Sequence, residues 1–162
     1  MIAFVPGSFD PITWGHFDII KRCSNLYDEV VVAVLNNSKK DYTFSVDERF
    51  HLISEVIKDE KIRNVRVVTF DGLLTNLVKE YCDGRVTPIL VKGLRTVGDY
   101  EYELQMAHLN RDLKVETSFM ITSPEYSYIS SSMVKEVAKL DGDFERYVPT
   151  NVAKALYHKL NL

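Results

Sequence analysis

Two sets of side chains in this sequence could act on a phosphate. The first lies near the amino end, in Ile2–His16, IAFVPGSFDPITWGH. An apolar run breaks at Pro6-Gly7, passes the hydroxyl of Ser8 and the carboxylate of Asp10, breaks again at Pro11, and enters a helical pattern near Gly15-His16. This spacing predicts a buried strand, a tight loop and a helix start. A helix start offers free N–H groups and the positive end of the macrodipole, and so suits an anion. Ser8 and His16 flank that place, and both can donate hydrogen bonds. The second set is cationic and hydroxylic: Lys39, Lys40, Lys92 and Arg95, with Ser130, Ser131 and Ser132. Arginine brings a planar fork and lysine a compact charge, both apt for phosphate.

Each of these residues also has an ordinary structural role. A lone histidine is usually a surface or capping residue, a serine run usually caps a helix, and Lys39-Lys40 fits a solvated loop equally well. No G-x-x-x-x-G-K-[ST] or G-x-G-x-x-G loop occurs. Nor is there an evident nucleophile–base pair, an H-E-x-x-H box or a cluster of metal ligands. His51, His108 and His158 stand singly in helical patterns. Such a set can hold and neutralise phosphates without a covalent intermediate, and phosphoryl-type transfer can proceed that way.

The elements that must position these groups follow from periodicity. Strands are expected at Ile2–Val5, Val30–Leu35, Val65–Phe70, Pro88–Val91 and Glu116–Thr122. Helices are expected over 17–27, from a Ser45/Glu48 capping box to about Lys58, over 73–82 with a break at Asp83-Gly84, from an Asp99 cap to Leu113, from Ser130 or Ser131 to Leu140, and over 152–160. Alternation of strand and helix predicts a parallel sheet with helices on both faces. The loops GSFDP, NNSKK, DGLL, KGLR and SPEYSYISSS each follow a strand, so they should share the carboxyl rim, where open parallel sheets bind ligands.

Composition narrows the class. The chain has 162 residues, 46% hydrophobic and 27% charged, with a net charge of −3. That fits one domain, 1–162, with a C-terminal helical part from about residue 130. The acidic balance gives no broad surface for nucleic acid. Cys23 and Cys82, far apart and in apolar patterns, read as buried reduced thiols. No stretch has the length or apolarity of a membrane span, and a cytoplasmic protein is the default expectation.

The motif S-F-D-P (Ser8–Pro11) followed by T-W-G-H (Thr13–His16) resembles the signature of the nucleotidyltransferase superfamily. Together with NNSKK (Asn36–Lys40), FSVDER (Phe44–Arg49), GLR (Gly93–Arg95), DYEYELQMAHLNR (Asp99–Arg111) and YSYISSSMVKEVA (Tyr126–Ala138), it makes the whole chain similar to the bacterial phosphopantetheine adenylyltransferases. The resemblance implies an α/β, Rossmann-like five-stranded fold. It implies transfer of the adenylyl group of ATP, accompanied by Mg²⁺, to 4′-phosphopantetheine, giving dephospho-coenzyme A and pyrophosphate. It further implies a cytoplasmic homohexamer with coenzyme A as feedback inhibitor.

Carried over by motif, His16 and Lys40 would be catalytic. His16 would stabilise the five-coordinate α-phosphorus, and Lys40, 24 residues on, would hold the acceptor phosphate. ATP would meet Ser8, Phe9, His16, Gly93, Leu94, Arg95 and Glu103, and the run Tyr126, Ser127, Tyr128, Ile129, Ser130, Ser131 and Ser132. Ser8, Lys40, Leu74 and Lys92 would serve the phosphopantetheine, with Lys39 an uncommitted neighbour. The family often carries arginine where this chain has Lys92, which keeps the charge and loses the fork. The rival readings are a nucleotidyltransferase acting on nicotinamide mononucleotide or using CTP, and a nucleotide-binding regulatory module without turnover.

Overall fold

The structure is a computed structural model and describes residues 1–37, 40–82 and 86–161. The five strands form one parallel sheet in the order β3-β2-β1-β4-β5, with β1 Ile2–Gly7, β2 Glu29–Asn36, β3 Val65–Asp71, β4 Pro88–Leu94 and β5 Glu116–Ile121. The helices are α1 Trp14–Leu26, α2 Val46–Asp59, α3 Leu74–Cys82, α4 Val97–Asp112, α5 Ser131–Lys139 and α6 Thr150–Leu160, with short 3-10 turns at Pro124–Tyr126 and Glu145–Tyr147. The expected α/β architecture with helices on both faces is therefore the one found.

The central strands are buried on both sides, which is why they read as unbroken apolar runs. Val30 to Val34 have no solvent exposure, and burying each such valine contributes roughly 1.5–3 kcal/mol before entropy is counted. Alternate residues split between two cores. Ala3, Val5, Val30, Val32 and Val34 join side chains of α1, α2, α5 and α6 in the larger one. Ile2, Phe4, Val31 and Leu90 join Val78 and Cys82 of α3 in the smaller. Helix α4 lies on that smaller face, with Tyr100 edge-on to Phe119 and Asn110 donating to the Thr117 hydroxyl. Both cysteines are free and buried; burial pushes the Cys23 thiol up to about 12.

Several boundaries differ from expectation, and the differences bear on the site. Helix α1 starts at Trp14, because Thr13 caps it. Strand β1 runs on through Pro6-Gly7 rather than breaking there, in register with Ala33 and Val34. Lys92, Gly93 and Leu94 are in β4, not in a loop; they pair with Phe119, Met120 and Ile121. The cap of α4 is Thr96, whose hydroxyl accepts from the Asp99 N–H, while Asp99 turns its carboxylate to Arg95. Ser130, not Ser131, caps α5. The Asp83-Gly84 break, and Ser38 and Lys39 of the second loop, lie outside the described residues.

The ladders on the two sides of β1 have different lengths. With β2 the registered pairs run from Ile2↔Glu29 to Gly7↔Val34. With β4 they run only from Ile2↔Pro88 to Phe4↔Leu90. Past Phe4 the sheet is split. Pro6, which has no N–H to give, is compatible with a central strand because β1 has by then one partner only.

Candidate functional site

A cavity of about 470 Å³ fills the split, a size ordinary for a small-molecule site. One wall is the end of β1 and the turn after it, Val5, Pro6, Gly7 and Phe9, with Thr13, Gly15 and His16 from α1. The other is Val91, Lys92, Gly93 and Arg95, with Asp99 and Glu103 of α4. The start of α5, Ser130 to Ser132, lines it as well. The crevice lies at the carboxyl ends of β1 and β4, where the strand order reverses, which is the general ligand position of such sheets. The first turns of α1, α4 and α5 all reach the cavity, which makes it electropositive before any side chain is counted.

His16 is held by its own helix. The Thr13 backbone N–H donates to His16 Nδ1 at 3.1 Å, and the Thr13 hydroxyl lies 3.1 Å from the same nitrogen. The His16 N–H in turn donates to that hydroxyl at 3.4 Å. This is a capping box with imidazole where glutamate or glutamine is usual. A nitrogen that accepts a backbone N–H carries no proton, so the neutral ring keeps its proton on Nε2. Desolvation, with the nearby Arg95 charge, holds the His16 pKa down at about 4. At neutral pH the residue is an uncharged hydrogen-bond donor at the cavity wall. The Phe9 ring stands edge-on to it, with centroids 5.2 Å apart. Phe9 is buried at φ 49, a left-handed conformation unusual for a large side chain. Its ring lies over Gly7, where an added Cβ would come within 2.8 Å of it; glycine is needed there for space.

The cavity's cations are matched by acids of α4, one turn apart. Lys92 Nζ is 3.1 Å from Glu103 Oε2 and 3.4 Å from Oε1. Only the contact to Oε1 has hydrogen-bond alignment, and the buried Oε2 is left without a directed donor. Arg95 Nε is 3.3 Å from Asp99 Oδ2, and its Nη1 donates to the Ile129 carbonyl at 3.2 Å, tying β4 to the loop before α5. At that helix start the Ser130 hydroxyl accepts from the Met133 N–H, and the Ser131 hydroxyl donates to the Pro11 carbonyl. The ordinary capping role of this serine run is thus real, and it coexists with a place on the cavity wall.

Of the residues singled out from sequence, Phe9, His16, Lys92, Gly93, Arg95, Glu103, Ile129, Ser130, Ser131 and Ser132 converge on the cavity. The other described ones do not line it. Ser8 lies at the end of β1 just behind Phe9, and its carbonyl accepts from Arg49. Lys40 is exposed on the turn after β2, where its N–H donates to the Asn37 carbonyl. Leu74 is half-buried against the smaller core at the start of α3. Leu94 ends β4. Tyr126 packs on the larger core beside Gly15, the Ser127 hydroxyl donates to the Pro124 carbonyl, and Tyr128 is exposed with its ring edge-on to Tyr147. His51, His108 and His158 are exposed and off the cavity.

Sequence reasoning gave no role to Asp10, and it missed Arg49 and the pairing of Asp99 with Arg95. Asp10 is buried; it accepts from the Thr43 N–H at 3.0 Å, the Phe44 N–H at 2.8 Å and Lys135 Nζ at 2.8 Å. A carboxylate between two loop-breaking residues was the available signal for it. For Arg49, the signal was a cation at a position where the apolar period of α2 wants a core residue.

Known proteins agree with this architecture. A family model described as Cytidylyltransferase-like matches residues 4–137. A phosphopantetheine adenylyltransferase of Clostridium novyi is 48% identical over 161 residues, covering 98% of this chain and 96% of its own. One from Caldanaerobacter subterraneus subsp. tengcongensis is 51% identical over 160 residues, with 98% and 96% covered. Among solved structures, the Plasmodium falciparum nicotinic acid mononucleotide adenylyltransferase complexed with NaAD superposes with a TM-score of 0.74 at 16% identity, over 99% of this chain and 96% of that one; at that identity it speaks for the fold alone. A family match over most of the chain, and near-half identity over almost all of it, place this protein in the cytidylyltransferase-like nucleotidyltransferase family, among the phosphopantetheine adenylyltransferases.

Proposed function

We propose that this protein transfers the adenylyl group of ATP to 4′-phosphopantetheine, releasing pyrophosphate and forming dephospho-coenzyme A, in the synthesis of coenzyme A. The observation that carries the reading is the convergence of a neutral imidazole donor, two cations and three helix starts on one cavity. The full-length relatives supply the acceptor.

In this reading the acceptor phosphate is already an anion at neutral pH, so no general base is needed. Its oxygen attacks the α-phosphorus as the bond to the β-phosphate oxygen breaks, and pyrophosphate carries away the electron pair. The protein must bring two anions into line and absorb the charge that develops. His16 donates a hydrogen bond from Nε2 to a non-bridging oxygen of the α-phosphate. Ser8 and Phe9 approach the phosphates through the strained turn, with the Ser8 hydroxyl also toward the acceptor. Lys40 holds the acceptor phosphate and stabilises the transition state. Lys92 binds phosphate, and Leu74 lines the pantetheine arm along the rim beyond β2 and β3. Gly93, Leu94 and Arg95 meet the ATP, and Glu103 offers it the acceptor oxygen that Lys92 leaves undirected. The stretch Tyr126, Ser127, Tyr128, Ile129, Ser130, Ser131 and Ser132 closes over the adenine and the β- and γ-phosphates.

Mg²⁺ enters as part of the MgATP substrate. The cavity carboxylates Asp99 and Glu103 are engaged by Arg95 and Lys92, so the ion's ligands would be phosphate oxygens and water.

The same reading includes a homohexamer, a cytoplasmic location and inhibition by coenzyme A. For assembly, the support is α4, whose only buried residue is Asn110 and whose Val97, Tyr102, Met106 and Leu109 are exposed; apolar surface of that kind commonly meets a partner. For location, no described helix is long and apolar enough to cross a membrane. Feedback follows from the product-like shape of coenzyme A.

The test is mass identification of the product after incubation with MgATP and 4′-phosphopantetheine, with nicotinamide mononucleotide and CTP as alternative substrates. Dephospho-coenzyme A with stoichiometric pyrophosphate is expected. Turnover of the mononucleotide instead, or ATP binding with no pyrophosphate at all, would overturn the assignment.

A further inference from the structure

The chemistry proposed above needs Ser8 on one loop and Lys40 on another to face the same phosphorus, yet among the described residues the registered pairing of their strands stops before Ser8. The registered ladder of β1 and β2 ends at Gly7↔Val34. The next rung in line would be Ser8 and Leu35. Both turn their carbonyls to a single nitrogen: Arg49 Nη1 donates to the Ser8 carbonyl at 2.7 Å and to the Leu35 carbonyl at 2.9 Å. A guanidinium from α2 thus supplies the rung that the backbone lacks, where the two rim loops part.

The rest of that side chain is used in the same cause. Arg49 Nη2 reaches Asn36 Oδ1 at 3.4 Å, and Nε donates to the carbonyls of Phe44 at 3.1 Å and Ser45 at 3.3 Å. The Tyr42 ring covers the guanidinium at 4.0 Å, and the Tyr42 hydroxyl accepts the Asn37 N–H at 3.1 Å. Arg49 has no exposure and no carboxylate partner among the described residues. A fully buried cation is costly unless hydrogen bonds replace its hydration, and here carbonyls and an amide oxygen do so. Lysine has three donors and no planar fork, and could not satisfy this set. Asp10 completes the clamp from the other loop by accepting the Thr43 and Phe44 N–H groups.

We propose that Arg49 is a positioning residue for adenylyl transfer: it fixes the spacing between Ser8 and the end of β2, after which Lys40 follows, and so between the two sides of the reacting phosphorus. It acts through the backbone and touches no substrate. The inference rests on the reaction assigned above. A displacement of about 1 Å in such a constellation costs on the order of 100-fold in rate.

The experiment compares the full-length protein with Arg49→Lys and Tyr42→Phe. Readouts are pyrophosphate release, ATP affinity by calorimetry, the melting midpoint, and amide hydrogen exchange at Ser8 and Asn37. For Arg49→Lys, kcat should fall about 100-fold while ATP affinity stays within about threefold, with faster exchange at both amides in a protein still folded at the assay temperature. Tyr42→Phe, which removes the hydroxyl that accepts the Asn37 N–H and keeps the ring on Arg49, should lower kcat by about tenfold with an unchanged melting midpoint. A folded Arg49→Lys with wild-type kcat overturns the proposal. So does a kcat loss matched by an equal loss of ATP affinity, because that marks a merely structural role. A wild-type protein that releases no pyrophosphate would remove the assigned reaction; the exchange rates would then still decide whether Arg49 holds the two loops together.

Discussion

Strand β1 treats its two neighbours differently. Toward β2 its ladder runs six registered pairs, from Ile2 to Gly7, and the Arg49 guanidinium then adds a further connection. Toward β4 it stops after three pairs, at Phe4↔Leu90, and the strands part around a cavity. One flank is closed by hydrogen bonds to buried charges. The other is left open and lined with groups that have spare hydrogen-bonding capacity, the His16 Nε2 hydrogen and the Glu103 Oε2 acceptor. A parallel sheet can bind a ligand at its rim only where some pairing has been given up, and it can keep its shape there only if the adjoining flank is secured.

If the two flanks divide the work in this way, a lesion on the β4 side should remove a group that meets the reacting phosphate, and one on the β2 side should act indirectly, through the spacing or the stability of the loops. The largest effect is expected at the open flank. His16→Ala should lower kcat by on the order of 1000-fold, with ATP affinity changed less than about tenfold, since the Nε2 donor gains most in the transition state. Pyrophosphate-release kinetics beside calorimetry will show this; an unchanged kcat would take His16 out of the chemistry.

On the closed flank, Asp10→Ala leaves two backbone N–H groups and the Lys135 ammonium without their partner. It should cost about 3 kcal/mol of unfolding free energy, read from urea denaturation. A variant as stable as wild type would mean that the loop is held by Arg49 alone.

A smaller effect depends on pH. The folded His16 pKa is about 4, against an ordinary value of 6.5. The unfolded chain therefore binds a proton that the folded one refuses, and stability is lost as pH falls from about 6.5 through 4. Full linkage over that interval corresponds to about 3 kcal/mol. Because the ring is only partly buried where it lines the cavity, screening reduces this to about 1–2 kcal/mol. The difference in stability between wild type and His16→Gln, followed from pH 7 to pH 4, isolates the contribution; a constant difference would show that the ring is not desolvated.

The smallest change should be Lys92→Arg, which keeps the charge against Glu103 and adds a fork. The KM for phosphopantetheine should stay within about threefold or improve, with kcat retained. A severe loss would show that the site is built around the compact ammonium.

Much of this was legible in the chain, for local reasons. Val30–Leu35 is an unbroken apolar run rich in valine, the pattern of a strand buried on both faces. Ser45 and Glu48 satisfy each other at the start of α2, as a capping box requires. The Thr13–His16 box escaped notice because imidazole is a rare member of such a pair, and α1 was accordingly expected three residues late. The Lys92–Leu94 segment read as a loop because lysine and glycine are poor strand formers. Its extended form comes from β5, whose residues 119–121 pair with it. Arg49 stands out in the sequence only as a cation on the apolar face of α2, since nothing local marks the carbonyls of residues 8 and 35 as its partners.

By itself the sequence determined the alternation of strands and helices, the gathering of the unusual segments at the ends of strands, and the residue types that suit a phosphate. These depend on periodicity and on short-range hydrogen bonds, which act within a few residues. Only the tertiary structure decided where the sheet splits, which of the rim residues meet in that split, and how strongly the His16 ring is held neutral. Each of those turns on contacts between segments far apart in the chain, and on how far burial lowers the cost of one protonation state against another.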